Sequence, residues 1–276
     1  MLFLRNYAME RFLERLSASK YRNCFILKGG MLISAMVGID SRATMDIDTT
    51  LRNYPLNCES AEQIVRQIAD VEIDDKISFV IKKTEEIMED SEYQGVRLSL
   101  DAYLDKTRIP LKIDISTGDV ITPCEISFSY QLMFENRTIP LLAYPPETVL
   151  AEKLETILSR GEANTRLRDF YDVYILQRED FVVTPDALCH ALLATCRKRG
   201  HEDLLHTYAS ILDRVRQSGT MRTQWMKYQS DFDYAAGITW DTVLDTVETL
   251  CMKTLDDHAF GDELPQEESQ FEMHLL

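Results

Sequence analysis

The sequence predicts an α+β protein, with a sheet-containing domain over residues 1–144 followed by an all-helical domain over 145–255. Before residue 144, several short segments alternate apolar and polar residues and are rich in Val and Ile, as is typical of strands. Beyond Pro145 and Pro146, apolar residues recur at every third or fourth position, which is typical of amphipathic helices. The adjacent prolines interrupt both patterns and mark the predicted boundary.

The first domain is expected to contain helices as well as strands. Apolar periodicity predicts an entry helix at about 5–19, a strand at 24–29, a short helix at 31–37, a strand at 45–51 and a helix at 59–69. Three long extended segments follow at 76–87, 95–104 and 108–116, and a shorter one lies near 125–139. Alternation within the three long segments indicates neighbouring strands.

The second domain is expected to be helical throughout. Its predicted helices lie at 146–160, 166–177, 185–199, 202–217, 221–230 and 238–253. Residues 256–276 form an acidic tail, expected to be mobile, with seven acidic residues and neither Lys nor Arg. The composition of this tail is equally compatible with three roles: it could increase solubility, mimic a nucleic acid or dock as a strand onto a partner.

Composition excludes several classes of protein. Hydrophobic residues make up 45% and charged residues 28% of the chain, so it can bury a core, unlike a disordered or collagen-like protein. No uncharged apolar stretch reaches the ~18 residues that a membrane span needs. Charges interrupt the first apolar segment, which is atypical of a signal peptide. The six cysteines show no CxxC pair and indicate free thiols in a reducing cytoplasm.

The net charge of −16 excludes a general nucleic-acid coat, which would need a basic field. The negative charge is unevenly distributed along the chain, because the tail carries −7 and the rest of the chain carries −9. Basic residues also cluster locally, at Arg160, Arg166 and Arg168, at Arg197, Lys198 and Arg199, and at Arg214, Arg216, Arg222 and Lys227. A basic face that binds an RNA acceptor is therefore compatible with the sequence.

A glycine pair stands at the predicted junction between the first strand and the short helix. Gly29-Gly30 is the only adjacent pair among 10 glycines. Such a junction lets backbone amides approach a phosphate, and a helix N-terminus favours its negative charge. The alternative interpretation is a tight turn in which glycine is present because the backbone adopts a positive φ.

Asp46 and Asp48 flank Ile47 on the second predicted strand. Residues i and i+2 of a strand point to one face, so the two carboxylates project together and repel. A hard divalent cation such as Mg²⁺ or Mn²⁺ would relieve that repulsion. The alternative is a pair of solvent-facing acids, since 231–233 has the same DxD spacing without a preceding glycine turn.

Asp114 lies on a third strand in which apolar residues alternate with Lys112, Asp114 and Ser116. If this strand adjoins the strand of Asp46 and Asp48, three carboxylates converge in a metal site for phosphoryl or nucleotidyl transfer. A strand with a polar outer face is the alternative.

Lys153 and the pair Asp169 and Asp172 are the candidates in the helical half. Lys153 lies beside a buried helical stripe and has the charge to reach a triphosphate, although a solvated lysine shows the same pattern. Asp169 and Asp172 share a helix face at i, i+3 spacing, a pattern that an ordinary ion-paired helix face also shows.

The sequence lacks four familiar motifs, namely the phosphate loop, the dinucleotide-binding motif, the zinc-protease motif and the nucleophile elbow.

The order of these features resembles the AbiEii/AbiGii toxin family. The similar segments are LKGGMLISAMVGIDSRATMDIDTTL, LKIDIS, AEKLETILSR, RLRDFYDVY and MRTQWMKYQSDFDYAAGITWDTV, spread from about residue 20 to 250. The resemblance implies a DNA-polymerase-β-like nucleotidyltransferase domain with a helical C-terminal domain. It also implies a toxin of abortive-infection or toxin–antitoxin operons that uses an NTP, with tRNA 3′ ends as acceptors in some relatives.

The resemblance assigns roles residue by residue. Gly29-Gly30 match the glycine motif, Asp46 and Asp48 the metal-binding DxD, Lys112 and Asp114 the KxD segment, Lys153 the motif lysine, and Asp169 and Asp172 the RxxD-type helix motif. Met31 stands where the family often has Ser or Thr, so the phosphate would be held by backbone amides alone.

These features together predict a cytoplasmic, Mg²⁺-dependent or Mn²⁺-dependent nucleotidyltransferase toxin with a cognate antitoxin. Asp46, Asp48 and Asp114 would hold the metal, and Asp114 would also help to deprotonate the acceptor hydroxyl. Gly29, Gly30, Arg42 and Lys153 would bind the nucleotide. Asp169 and Asp172 would act on the nucleotide or orient the acceptor, or else form structural ion pairs. The alternatives are a catalytically inactive nucleotide-binding regulatory module and transfer to a protein side chain.

Overall fold

The computed structural model describes residues 2–89, 93–179 and 183–256. The first half contains α1 (Leu2–Ala18), β1 (Phe25–Lys28), α2 (Gly29–Val37), β2 (Ile47–Leu51), α3 (Cys58–Ala69), β3 (Ile77–Glu89), β4 (Tyr93–Leu104), β5 (Thr107–Ser116), β6 (Ile126–Gln131) and β7 (Thr138–Ala143). The second half contains α4 (Pro146–Arg160), α5 (Leu167–Leu176), α6 (Pro185–Arg199), α7 (Leu204–Gln217), α8 (Gly219–Asp231) and α9 (Trp240–Leu255), with short 3-10 helices at Gly161–Ala163 and Asp233–Ala235.

The strands form one mixed sheet in the order β3-β4-β5-β2-β1-β7-β6. Neighbouring strands are antiparallel except for β2 with β5 and β1 with β7, which are parallel. The parallel register places Asp48 of β2 directly beside Asp114 of β5. Two acidic positions that are far apart in the chain therefore meet near the middle of the sheet.

Burial explains why these segments adopt their structure. All four residues of β1 are buried, as expected for a central strand. Helix α3 begins with a capping box in which Asn57 and Ser60 exchange side-chain and backbone hydrogen bonds. Its buried residues occupy one face, and α3 packs against α1 and β3. Helix α1 also packs against β5 and β7, so the two helices cover the sheet together.

The helical half packs around α4, which contacts α5, α6 and α7. Helix α9 closes the bundle against α5, α6 and α7. Aromatic rings fill its core, where Trp240 lies 5.0 Å from Phe170 and 5.9 Å from Trp225 between ring centroids. Helix α5 also contacts α2, so the helical half touches the sheet half beside the glycine pair.

The structure confirms the α+β fold and revises several predicted bounds. The segment expected as one extended piece near 125–139 is a hairpin of two strands, because the chain turns between β6 and β7 and β7 then pairs with β1. Helix α2 starts at Gly29 rather than Met31, so the glycines form its first turn. Every strand in the described residues precedes Tyr144, and α4–α9 follow it. The predicted tail lies outside the described residues apart from Asp256.

No helix in the described ranges combines the length and apolar character required to span a membrane. The six cysteines are free thiols, and Cys189, Cys196 and Cys251 are buried.

A buried network centred on Asp119 ties the sheet to the start of the helical half. The Asp119 carboxylate accepts hydrogen bonds from Ser116 Oγ at 2.6 Å, Lys28 Nζ at 3.0 Å and the Tyr144 hydroxyl at 3.0 Å, and another from Thr50. Burial alone would raise the pKa of Asp119, but the Lys28 charge and the hydroxyl donors lower it from 3.8 to about 2. The ionised carboxylate thus stabilises the folded protein.

We expect Asp119→Asn to lower the free energy of unfolding at pH 7 by about 2 kcal/mol, from the difference between the two pKa values. Because the folded-state pKa is lowered, the stabilisation is present above about pH 4 and is lost as pH falls towards 2. Urea unfolding at several pH values measures the gap between wild type and variant. Asp213→Asn, at an exposed position of α7, is the control. A gap that stays constant across this range would contradict the prediction.

Candidate active site

Three carboxylates meet where β2 lies beside β5. Asp46 immediately precedes β2, Asp48 lies on it and Asp114 lies on β5. One carboxylate oxygen from each residue lies within 4.8 Å of those of the other two. Ile47, between Asp46 and Asp48, is fully buried, so its neighbours project to the opposite side. A cluster of three oxygen donors with unbalanced negative charge fits a hard divalent cation such as Mg²⁺ or Mn²⁺.

Arg97 of β4 holds the third carboxylate from the neighbouring strand. Its Nε and Nη2 donate to the two oxygens of Asp114 at 2.8 and 2.5 Å. This bidentate pair orients the Asp114 carboxylate, and it raises the pKa of Arg97. Sequence reasoning missed Arg97, because only the β4–β5 register places it opposite Asp114. Lys112, two residues before Asp114, is exposed.

The glycine pair makes room for the acidic strand. Gly29 has a φ of +64°, and a Cβ atom there would lie 2.1 Å from Oδ2 of Asp48. A Cβ atom at Gly30 would lie 2.5 Å from Oγ1 of Thr44, which itself donates to Asp46 at 3.0 Å. The Gly30 amide points to Asp48 at 3.4 Å. Both the backbone conformation and the close approach therefore require glycine, and Met31 beyond them is buried in the core.

A buried charge network joins the loop before β2 to the helical half. Arg42 donates from Nε to Oδ1 of Asp172 at 2.6 Å, and both side chains are buried. Lys153 of α4 binds Asp169 at 2.6 Å and Asp172 at 3.1 Å. Arg166 completes the network with an ion pair to Asp169 at 3.1 Å. Asp169 and Asp172 therefore face Arg42 and Lys153 instead of solvent.

The electrostatics of this network favour the charged forms of Asp172 and Lys153. Burial would raise the pKa of Asp172, but the charges of Arg42 and Lys153 outweigh it and lower that pKa. Burial would likewise lower the pKa of Lys153, but Asp169 and Asp172 raise it. Lys153 keeps 12% of its side chain exposed, and this part faces the cleft described next.

A cleft of about 490 Å³ runs from the acidic strand into the helical half. Gly29, Gly30 and Asp48 lie at one end, and Lys153 lies along its wall. The helical end is rich in basic residues, with Arg160, Arg166, Arg168, Lys198, Arg199 and His201, and it also contains Glu152 and Glu155. The lining of the cleft therefore contains more cations than carboxylates.

The helical end of the cleft contains a histidine that sequence reasoning did not connect with the site. His201 Nδ1 lies 2.7 Å from the buried carboxylate of Glu155, which also pairs with Arg199. Lys28 and Asp119 line the same cleft near the glycines. These residues were missed because their neighbours come from distant parts of the chain and form no local motif.

Only some of the basic residues in the three sequence clusters lie at the cleft. Arg160, Arg166, Arg168, Lys198 and Arg199 line the cleft. Arg216 instead pairs with Asp245 and Glu248 at 2.7 and 2.6 Å. Arg222 pairs with Asp241 at 2.8 Å. Only part of the basic sequence is therefore available to a ligand in the cleft.

A mixed sheet with three converging carboxylates, a glycine turn and a helical half defines a protein of the nucleotidyltransferase class. The chain belongs to the family described as nucleotidyl transferase AbiEii toxin, type IV toxin–antitoxin system, whose profile matches residues 11–246. No curated protein sequence matches the chain. Family membership supports transferase activity and implies an antitoxin partner.

Solved structures agree with this fold. JHP933 from Helicobacter pylori is similar at a TM-score of 0.50 and 14% identity, over 93% of this chain and 94% of that one. A second H. pylori structure, assigned as a nucleotidyltransferase, has a TM-score of 0.50 and 13% identity, over 93% of this chain and 97% of that one. At such identities the likeness concerns the fold alone.

We expect Gly29→Ala to weaken Mn²⁺ binding by about 10- to 100-fold, because the new Cβ atom displaces the Asp48 carboxylate. Gly200→Ala is the matched control, since Gly200 has a similar φ of +68° but open space where its Cβ atom would lie. Electron paramagnetic resonance of free Mn²⁺ measures the affinity. Equal losses in both variants would show that backbone strain, not contact with Asp48, is responsible.

We expect Asp172→Asn to lower the free energy of unfolding by about 3–5 kcal/mol, because it leaves Arg42 buried without its carboxylate. Asp241→Asn, which removes an exposed partner of Arg222, should change it by less than about 1 kcal/mol. Chemical denaturation compares the two variants. Similar small effects would show that the buried network contributes little to stability.

Proposed function

We propose that this protein is a cytoplasmic, metal-dependent nucleotidyltransferase toxin. It transfers a nucleotide from an NTP to an RNA acceptor, the 3′ end of tRNA, and so blocks translation in phage defence or toxin–antitoxin control. The observation that carries this proposal is the convergence of Asp46, Asp48 and Asp114 beside a cleft with cationic walls. Family membership supports the transfer chemistry.

Asp46, Asp48 and Asp114 would hold Mg²⁺ or Mn²⁺, which would supply charge stabilisation at the triphosphate. Arg97 keeps the Asp114 carboxylate in one orientation through its two hydrogen bonds. Gly29 keeps Asp48 in place by leaving it room. The protein thus assembles the carboxylates in advance, as positioning catalysis requires.

The cleft supports binding of the NTP. The first turn of α2, with Gly29 and Gly30, lines the cleft, and the N-terminus of a helix favours the negative charge of a phosphate. Lys153, held by two carboxylates and open to the cleft, neutralises phosphate charge. Arg42 lines the cleft but is paired with Asp172, so it holds the loop before β2 as well as the nucleotide. Asp169 and Asp172 orient these two cations.

The reaction forms one bond and breaks one bond. The acceptor hydroxyl oxygen attacks the α-phosphorus, the bond from that phosphorus to the β-phosphate oxygen breaks, and pyrophosphate leaves. Asp114 takes up the proton of the hydroxyl. Catalysis in such transfers comes mainly from positioning and charge stabilisation, which the carboxylates and cleft cations supply.

The test incubates purified protein with total tRNA, Mg²⁺ and each labelled NTP in turn. We expect label on RNA with at least one NTP, and a loss of at least about 100-fold in Asp46→Asn/Asp48→Asn. Asp241→Asn/Asp245→Asn, which changes two exposed carboxylates of α9, is the control and should retain transfer.

Other outcomes of this experiment would select the alternatives. Label on protein instead of RNA would show a side chain as the acceptor. Saturable NTP binding without label on RNA or protein and without pyrophosphate release would indicate a nucleotide-binding regulatory module. Transfer that survives in Asp46→Asn/Asp48→Asn would contradict the assigned carboxylates.

A further inference from the structure

A second cavity opens beside the acidic cluster, next to helix α8. This α8 groove has a volume of about 590 Å³. Thr44, Met45 and Asp46 line one side, and Gln224, Lys227 and Phe232 line the other. Asp48 lines the cleft and Asp46 lines the α8 groove, so both cavities reach the carboxylate cluster. The two cavities adjoin, because Arg42, Arg166 and Arg168 line both.

The two cavities differ in chemistry. The glycine amides and Lys153, which suit a triphosphate, belong to the cleft. The α8 groove adds exposed apolar side chains, with Phe232 39% and Met45 55% exposed, to a charged lining that includes Lys227 and Asp231. A transfer reaction needs two substrates that meet at the metal site, and the α8 groove is a second approach to the same carboxylates.

Phe232 lies at the surface end of an aromatic cluster. Its ring centroid is 4.7 Å from that of Tyr228 and 5.4 Å from that of Tyr234, with 28° between the planes of the second pair. The inner rings are held by the hydrogen bond between the Tyr228 and Tyr234 hydroxyls at 3.0 Å. The exposed ring is therefore fixed in orientation, as a platform for base stacking requires.

Cations without partners stand beside this platform. Among the described residues, neither Arg168 nor Lys227 has an ion-pair partner, and both side chains are exposed along the α8 groove. The neighbouring Arg222 is paired with Asp241. In a chain with a net charge of −16, two unpaired cations next to the acidic cluster are suited to a phosphate backbone.

Gln224 adds a hydrogen-bonding group in the same groove. Its side-chain oxygen is buried and has no hydrogen-bond partner among the described residues. A buried acceptor without a donor is costly, and a ligand with an N–H group would satisfy it. The exocyclic amine or ring N–H of a nucleobase has that chemistry.

From these observations we propose that the α8 groove is the acceptor subsite and takes the unpaired 3′ end of an RNA strand. The terminal base stacks on Phe232 and pairs with Gln224, while Arg168 and Lys227 bind the phosphates that follow. The proposal rests on the transferase function above. It adds that the acceptor end must be single-stranded, because Watson–Crick pairing would occupy the N–H groups of the base that Gln224 accepts from.

The first test measures steady-state transfer with separate titrations of acceptor RNA and NTP. Phe232→Ala is expected to raise KM for RNA by about 10-fold and to leave KM for the NTP unchanged. Phe232→Trp retains a stacking surface and should restore a low KM for RNA. Met226→Ala, at an exposed apolar position of α8 outside the groove, is the control. A rise in KM for the NTP instead would overturn the proposal and assign the groove to the nucleotide.

The second test measures binding directly, by fluorescence anisotropy of a short labelled single-stranded RNA without NTP. Lys227→Ala should reduce the slope of log affinity against log salt by about 0.7, since one phosphate contact is lost. Lys253→Ala, an exposed lysine of α9, should leave the slope unchanged. A blunt RNA duplex should bind more weakly than the single strand. Equal binding of the duplex would overturn the single-strand requirement.

The two tests separate the two proposals. Transfer to RNA that is intact in Phe232→Ala and Lys227→Ala, with unchanged RNA affinity, would overturn the acceptor groove and keep the transferase. RNA binding that depends on Phe232 and Lys227, with no transfer by the wild type, would overturn the transferase and keep the groove as an RNA site.

Discussion

The buried contact between Arg42 and Asp172 is the constraint on which the site depends. Arg42 lies in the loop before β2, and Asp172 lies on α5 of the helical half, so one ion pair spans both halves. Lys153 shares the same carboxylate from α4. Buried charges are tolerated only when they are paired, so the loop, α4 and α5 must come together in one arrangement. That arrangement places Asp48 and Lys153 in the lining of the same cleft.

This constraint also explains how an acidic protein can accommodate polyanionic substrates. The surplus of carboxylates is used in part to neutralise arginines away from the site, such as Arg216 and Arg222. Lys153 faces the cleft with its carboxylates behind it, and Arg168 and Lys227 face the α8 groove. The local electrostatic field at the two cavities therefore depends on which cations face them, and the net charge of the chain is a poor guide to that field.

Local patterns were most informative where one segment determines its own structure. The DxD spacing already requires Asp46 and Asp48 to share a face, and the alternation around Asp114 already indicates a half-buried strand. The hairpin of β6 and β7 was harder to predict from local patterns, because β7 is defined by its pairing with β1, more than 100 residues earlier in the chain. Local patterns did not predict the contacts of Arg97, Lys28 and Asp119 for the same reason, since each of these residues binds a partner that is distant in the chain.

The sequence by itself determined the α+β class, the order of most elements and the acidic and glycine motifs, since periodicity and steric rules act over a few residues. Family resemblance added the nucleotidyltransferase class, which the family match confirms. Only the tertiary structure decided that Asp48 lies beside Asp114, that Gly29 is needed because Asp48 occupies its Cβ position, and that Asp172 is shared by Arg42 and Lys153. These contacts depend on strand register and helix packing, which join residues distant in the chain and leave no trace in local spacing.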